Sequence, residues 1–150
     1  MTDKMYISWN EYQDIIESFT NTLTSKEANH KFHLVSIYRG SLLMGQHISN
    51  VLDIPLSIVK FQRLDSDDTE VQFIHNAGIK EDDIIILLDD IFDTGETIYK
   101  VSDFFKRNFV LSKIQALTLS WNNKHTSTLP EWVTSVIKTE GKWVVFPWET

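Results

Sequence analysis

The sequence predicts an α/β fold with a mainly parallel central sheet and flanking helices, and three observations carry that expectation. Residues 84–97 read IIILLDDIFDTGET, a short continuous apolar run bounded by turn residues, which suits a strand buried on both faces. After it, Thr97, Ile98, Val101, Phe104 and Phe105 follow at helical spacing. Further short apolar runs alternate with helical stretches along the chain, the pattern of strand–helix–strand units.

The elements follow in order. Ser8-Trp9-Asn10-Glu11 is a candidate capping box. Behind it Trp9, Tyr12, Ile15, Ile16, Phe19 and Leu23 form an apolar stripe at helical spacing. Residues 33–37 read as a strand, and Leu42, Leu43, Ile48 and Leu52 as a helix that ends near Asp53-Ile54-Pro55. Residues 56–61 form the next strand. The polar stretch RLDSDDTE at 63–70 leads into a weakly alternating strand at 71–74, so the segment reads as a hairpin. After the strand and helix of 84–105, strands are expected at 114–119 and 132–137. No internal repeat, low-complexity tract or linker interrupts the 150 residues, which suit a single domain spanning 1–150.

Composition narrows the class. A net charge of −7 argues against a general nucleic-acid binder, which would cluster Lys and Arg on its surface. There is no Cys, so thiolate chemistry is absent and a reducing compartment is the simpler expectation. No apolar run approaches the ~20 residues of a membrane span, and no secretory h-region opens the chain. A cytoplasmic protein is expected.

The turn after the apolar strand is where chemistry concentrates. Thr94, Gly95, Glu96 and Thr97 stand at the start of the following helix, whose first amides lack intrahelical partners. Those amides, the positive end of the helix dipole and two hydroxyls suit a phosphate monoester. Gly95 permits close backbone approach or a positive φ. Asp89 and Asp90, placed by strand alternation on opposite faces, can accept hydrogen bonds from sugar hydroxyls or face a hydrated Mg²⁺. Asp93 opens the loop, placed to take or hold a proton near the reacting carbon. Phosphate at one end and vicinal hydroxyls at the other describe a ribose 5-phosphate.

DDIFDTGET resembles the phosphoribosyl diphosphate motif of the type I phosphoribosyltransferases, with no position missing. Ser36-Ile37-Tyr38-Arg39-Gly40-Ser41 resembles that family's diphosphate loop, and Trp143-Val144-Val145-Phe146-Pro147-Trp148-Glu149 resembles the ending of small xanthine-guanine-type enzymes. The opening Tyr6-Ile7-Ser8-Trp9 fits the same subgroup. This resemblance implies a three-layer type I phosphoribosyltransferase fold with a small C-terminal hood, acting in purine salvage. It implies transfer of a 5-phosphoribosyl group from phosphoribosyl diphosphate to guanine, xanthine or hypoxanthine, with release of diphosphate. Arg39, Gly40, Asp89, Asp90, Thr94, Gly95, Glu96 and Thr97 would then hold phosphoribosyl diphosphate, and Asp90 would face Mg²⁺, directly or through water. Asp93 would be the catalytic acid–base, while Trp143 stacks on the base and backbone around Val144 reads its edge; Trp148 and Trp132 are read as packing. The family often holds a cis non-proline peptide in the diphosphate loop, expected here between Tyr38 and Arg39. The 63–70 loop corresponds to a lid over the site, and the relatives associate as homodimers or homotetramers.

Three departures qualify the match. Purine-specific relatives carry a lysine just after the strand that ends near Leu119, to donate to the exocyclic oxygen of a 6-oxopurine. Here that place reads Ser120-Trp121-Asn122-Asn123, with Lys124 slightly later, leaving Asn122 and Lys124 as the alternatives. Glu96 replaces the usual Gly and adds an acid beside the phosphate cradle, with its side chain expected to point outward. Tyr38 and Ser41 bracket Arg39-Gly40. No Walker-type or dinucleotide-binding glycine motif occurs. His30 and His33 lie three apart without Cys or carboxylate at metal-ligand spacing. Two rivals stay open: the same transfer to another nucleobase such as a pyrimidine, and a non-catalytic nucleotide-binding regulator of the same fold.

Overall fold

The computed structural model describes residues 3–25 and 31–149. Among these described residues eight strands and three helices run in the order β1 (Lys4–Tyr6), α1 (Trp9–Ser25), β2 (Phe32–Tyr38), α2 (Leu42–Leu52), β3 (Leu56–Arg63), β4 (Thr69–His75), β5 (Ile84–Phe92), α3 (Glu96–Asn108), β6 (Lys113–Trp121), β7 (Val133–Lys138) and β8 (Trp143–Val145). A 3₁₀ turn at Pro147–Glu149 follows. The main sheet has the strand order β4-β3-β2-β5-β6-β7, and only β4 is antiparallel to its neighbour. The expected mainly parallel α/β architecture is therefore present.

Strand alternation builds the three layers. In β5, Ile84, Ile86 and Leu88 turn to one face and join Ile16 and Phe19 of α1 with Met44 and Ile48 of α2. Ile85 and Leu87 turn to the other face, against Ile98, Val101 and Phe105 of α3. All five β5 residues are buried, as a double-faced central strand requires. Such burial contributes about 1.5–3 kcal/mol per aliphatic side chain and fixes the register, since a one-residue slip would exchange the two faces.

Local signals explain the ends of the elements. Ser8 and Glu11 form the reciprocal capping box: the Glu11 amide donates to Ser8 Oγ at 3.1 Å and the Ser8 amide to Glu11 Oε1 at 3.3 Å. Asp53, in the left-handed region at φ 53°, closes α2, and its amide donates to the Ser49 carbonyl. β3 and β4 form the expected hairpin, whose turn has Asp67 at φ 63°. A parallel pair, β1 with β8, was not anticipated; it sets the chain's two ends side by side and seats Val144 in the core with Ile7 and Phe146.

The topology also locates a crevice. β2 and β5 are parallel neighbours, but β2 leads through α2 to β3 on one side while β5 leads through α3 to β6 on the other. The loops leaving their carboxyl ends diverge, opening the place where doubly wound sheets take ligands. Among the described residues, no helix is long and apolar enough to cross a membrane.

Candidate active site

Two loops meet in that crevice. The first follows β2 and contains the cis peptide expected between Tyr38 and Arg39. Buried hydroxyls fasten it. Ser41 Oγ is shared between the carbonyls of Ile37, at 2.9 Å, and Leu88 of β5, at 2.7 Å, while Ser36 Oγ donates to the Ser41 carbonyl at 3.1 Å. Ser41, which the sequence showed only as a departure from the loop motif, thus ties the two switch-point strands together. Gly40 lies so near the Asp90 carboxylate that a Cβ there would overlap it. A side chain at this position would push the Asp90 carboxylate out of its place.

The second loop follows β5. Thr94 and Gly95 lead into α3, with Gly95 at φ 90° immediately before it. A Cβ on Gly95 would meet the rings of Phe92 and Tyr99. The Glu96 amide faces Thr94 Oγ1 at 3.4 Å. Asp89, Asp93, Thr94, Gly95, Glu96 and Thr97 together line a crevice of about 150 Å³, at the positive end of the α3 dipole. Glu96 is answered by Arg63 of β3, with which it forms an ion pair. Its carboxylate therefore turns outward to the hairpin.

The adjacent acids are not equivalent. Asp89 Oδ1 accepts a hydrogen bond from the Asp90 amide at 2.9 Å. Burial, and then the charge and carboxyl of Asp90, raise the Asp89 pKa well above the usual carboxylate range; the Asp90 amide pulls it down less. Although strand alternation sends the two side chains to different faces, Asp89 still senses its neighbour. Glu149 joins this group from the C-terminal turn. Partial desolvation and the charge of Asp90 raise its carboxyl pKa, against the opposing pull of the Phe146 backbone and of Arg39. No three acids or histidines gather into a ready metal cluster among the described residues. The donor set fits Mg²⁺ instead, which takes one or two carboxylates together with substrate phosphate oxygens and water; Asp90 beside Gly40 is the carboxylate in place for it.

Asp93 has partners that the sequence did not reveal. His125 Nδ1 lies 2.6 Å from Asp93 Oδ1, and Thr126 Oγ1 donates to the Asp93 carbonyl at 2.9 Å. Both come from the loop after β6, which the Asn122 amide anchors to the Phe92 carbonyl at 2.9 Å. The Asn122 side chain lies within this loop: Oδ1 accepts from the Lys124 amide at 3.1 Å, and Nδ2 lies 3.3 Å from His125 Nδ1. The Lys124 stem lies against Gly141.

Trp143, on β8, is 63 % exposed and free to offer a ring face, whereas the Val144 side chain is buried, so only its backbone can meet a ligand. Trp148 stacks on Phe146 at 5.0 Å and meets Tyr12 edge-on at 5.4 Å, and Trp132 meets Tyr99 at 5.9 Å, as their reading as packing residues requires. His30 lies outside the described residues. His33 is buried at the far end of the sheet, where its Nε2 meets Ser57 Oγ at 2.7 Å and Asp83 lies 3.7 Å from Nδ1. Burial lowers the His33 pKa against the opposing pull of Asp83.

The phosphoribosyl transferase domain family matches residues 7–150. The chain belongs to that family. Its fold is similar to the crystal structure of a purine phosphoribosyltransferase from Pyrococcus horikoshii, with a TM-score of 0.79 and 26 % identity over 99 % of this chain and 95 % of the other. It is also similar to the Helicobacter pylori xanthine-guanine-hypoxanthine phosphoribosyltransferase, with a TM-score of 0.77 and 14 % identity over 98 % and 94 % of the two chains. A Neisseria gonorrhoeae protein crystallised with bound ppGpp gives a TM-score of 0.77 and 15 % identity over 100 % and 91 %. No curated protein matches the sequence. The phosphoribosyltransferase thus carries its family's type I fold, and the motif loops meet at the switch point of the sheet.

Proposed function

We propose that this phosphoribosyltransferase moves the 5-phosphoribosyl group of phosphoribosyl diphosphate onto a purine base, guanine, xanthine or hypoxanthine, in nucleotide salvage. The observation that carries the reading is that Asp89 and the 93–97 turn line one crevice while Gly40, beside Arg39, lies against Asp90, the next residue of that strand, with exposed Trp143 at the C-terminal end. The whole of 1–150 acts as one domain in this reading.

In the mechanism, the amides and hydroxyls of Thr94, Gly95, Glu96 and Thr97 hold the 5-phosphate at the α3 N-terminus. Asp89 and Asp90 accept from the ribose hydroxyls. Arg39 and the backbone of Gly40 hold the diphosphate, and Asp90 with its waters would hold Mg²⁺. When bound, that ion neutralises charge on the departing diphosphate. As the bond from carbon 1 to the diphosphate oxygen breaks, a base nitrogen bonds to carbon 1 from the opposite face and its proton passes to Asp93. Trp143 covers the base and the Val144 backbone reads its edge. The hairpin turn at 63–70 closes over the site as a lid. Catalysis on this scheme rests on positioning and electrostatics. The protein acts in the cytoplasm as a homodimer or homotetramer.

A second reading is favoured by one observation: Asn122, which stands where purine-specific relatives carry the 6-oxo donor lysine, has its Oδ1 tied to the Lys124 amide and its Nδ2 against the His125 ring, so that lysine has no like-for-like substitute. Transfer to another nucleobase, or nucleotide binding without turnover, would follow from that. Diphosphate release with phosphoribosyl diphosphate and a panel of nucleobases separates the three. Release with guanine, xanthine or hypoxanthine is expected; release only with a pyrimidine, or tight nucleotide binding with no release, selects the alternatives.

A further inference from the structure

We propose that His125 is the positioning residue for Asp93. This inference rests on the reading of Asp93 as the group that takes the proton of the incoming base. A carboxylate can only accept, so a ring nitrogen 2.6 Å from Asp93 Oδ1 must carry a hydrogen; the Nδ1–H tautomer or the imidazolium is therefore present. The separation is at the short end for a charge-assisted bond, stronger than a neutral one. Asn122 Nδ2, at 3.3 Å, then faces a protonated ring nitrogen and forms no hydrogen bond with it.

The arrangement fixes Asp93 at both ends. Thr126 Oγ1 holds its carbonyl, and His125 holds one carboxylate oxygen. With Oδ1 occupied, Oδ2 is the oxygen left for the base. The amides of His125 and Thr126 both donate to the Asn122 carbonyl, at 3.1 and 3.0 Å, while the Asn122 amide donates to Phe92. Hence the loop after β6 is built as a bracket around the first residue beyond β5. Asp93 is otherwise exposed, and a solvated carboxylate on a loop samples several rotamers unless something restricts it.

Chemically, His125 gives up no proton in the transfer. The base proton moves to Asp93 Oδ2 as the carbon–nitrogen bond forms and the diphosphate leaves with its electron pair. The Nδ1–H bond to Oδ1 persists before and after, and the neutral carboxyl then releases its proton to water. His125 therefore acts only through the orientation and charge of Asp93.

The test compares the wild type with His125→Ala, His125→Asn, Asp93→Asn and the His125→Ala/Asp93→Asn double variant, each assayed for kcat and for the KM of phosphoribosyl diphosphate. The Asn amide can take the place of Nδ1–H. His125→Ala is expected to lower kcat about 10- to 100-fold, with the KM for phosphoribosyl diphosphate within about two-fold. His125→Asn should recover most of that loss, and His125→Ala should cost nothing further once Asp93 is Asn. A wild-type kcat in His125→Ala, an Asn variant no better than Ala, or an equal loss in the Asp93→Asn background overturns the positioning role alone. A wild type that turns over no base at all overturns the transfer reading and this inference with it.

Discussion

Replacing Gly40 by Ala probes the contact on which the two loops depend. The added Cβ would lie 2.9 Å from Asp90 Oδ1 and nearer still to Oδ2 and Cγ, whereas ordinary contact begins at about 3.4 Å. The Asp90 carboxylate must then retreat by roughly an ångström. It sits at the end of a rotatable, half-buried side chain, so stability should fall by less than ~1 kcal/mol, or less than ~4 °C in Tm for a chain of this size. Function should respond differently, because a misplacement of about 1 Å can cost about 10²-fold. Gly95→Ala supplies the contrast. At φ 90° the new side chain costs about 1–2 kcal/mol in backbone terms. It also lies 2.8 Å from the Tyr99 ring and 3.0 Å from Phe92 Cε1, an overpacking worth about 1–3 kcal/mol. Together these are about 2–5 kcal/mol, or about 4–20 °C in Tm. Calorimetric Tm and steady-state diphosphate release measure both variants. If Gly40→Ala melts as early as Gly95→Ala, or keeps wild-type turnover, the packing argument for the crevice is wrong.

Three further outcomes follow from the same geometry. Trp143→Ala should leave Tm almost unchanged, since the ring is exposed, but raise the KM for the base about 5- to 150-fold, the equivalent of the ~1–3 kcal/mol of one stacked base; an unchanged KM would remove Trp143 from the base site. Arg63→Ala leaves Glu96 unpaired beside the phosphate cradle and should raise the KM for phosphoribosyl diphosphate about 3- to 10-fold at low salt. Adding Glu96→Gln should reverse most of that rise, and a double variant as impaired as Arg63→Ala would refute the pairing. Asp89 has a raised pKa in the fold, through burial first and Asp90 second, so its contribution to stability is present below the unfolded carboxylate value near ~3.9 and lost as pH rises through the native value. Asp89→Asn should therefore melt above the wild type at neutral pH, with the gap closing toward pH ~4, and a gap independent of pH would contradict the assignment.

Much of the fold was legible because burial on two faces leaves a strong trace. The apolar run at 84–88 and the helical stripe of α3 could hardly pack otherwise, and β2 extends the expected strand by only one residue at each end. The three-residue strands β1 and β8 left no such trace. Their partners lie at opposite ends of the chain, so only tertiary contact identifies them. At the site, the phosphate turn and the Arg39-Gly40 loop were visible because their glycines and hydroxyls are local requirements of backbone geometry. His125 was not, since it reaches Asp93 from another element and nothing in its own neighbourhood marks it; the pairing of Arg63 with Glu96 and the influence of Asp90 and Arg39 on Glu149 likewise emerge only from the fold. The β6 loop offered one signal in hindsight: Asn122 through Thr126 is rich in side chains that hydrogen-bond nearby backbone, the composition of a loop built to hold a fixed shape.

The central claim is that the turn between β5 and α3 grips a sugar 5-phosphate, and a crystal soaked with a purine ribonucleoside 5′-monophosphate tests it most directly. The account predicts phosphate oxygens on the amides and hydroxyls of residues 94–97, ribose hydroxyls facing Asp89 and Asp90, and the base beneath Trp143. Nucleotide bound elsewhere, with that turn vacant at saturating concentration, would contradict it.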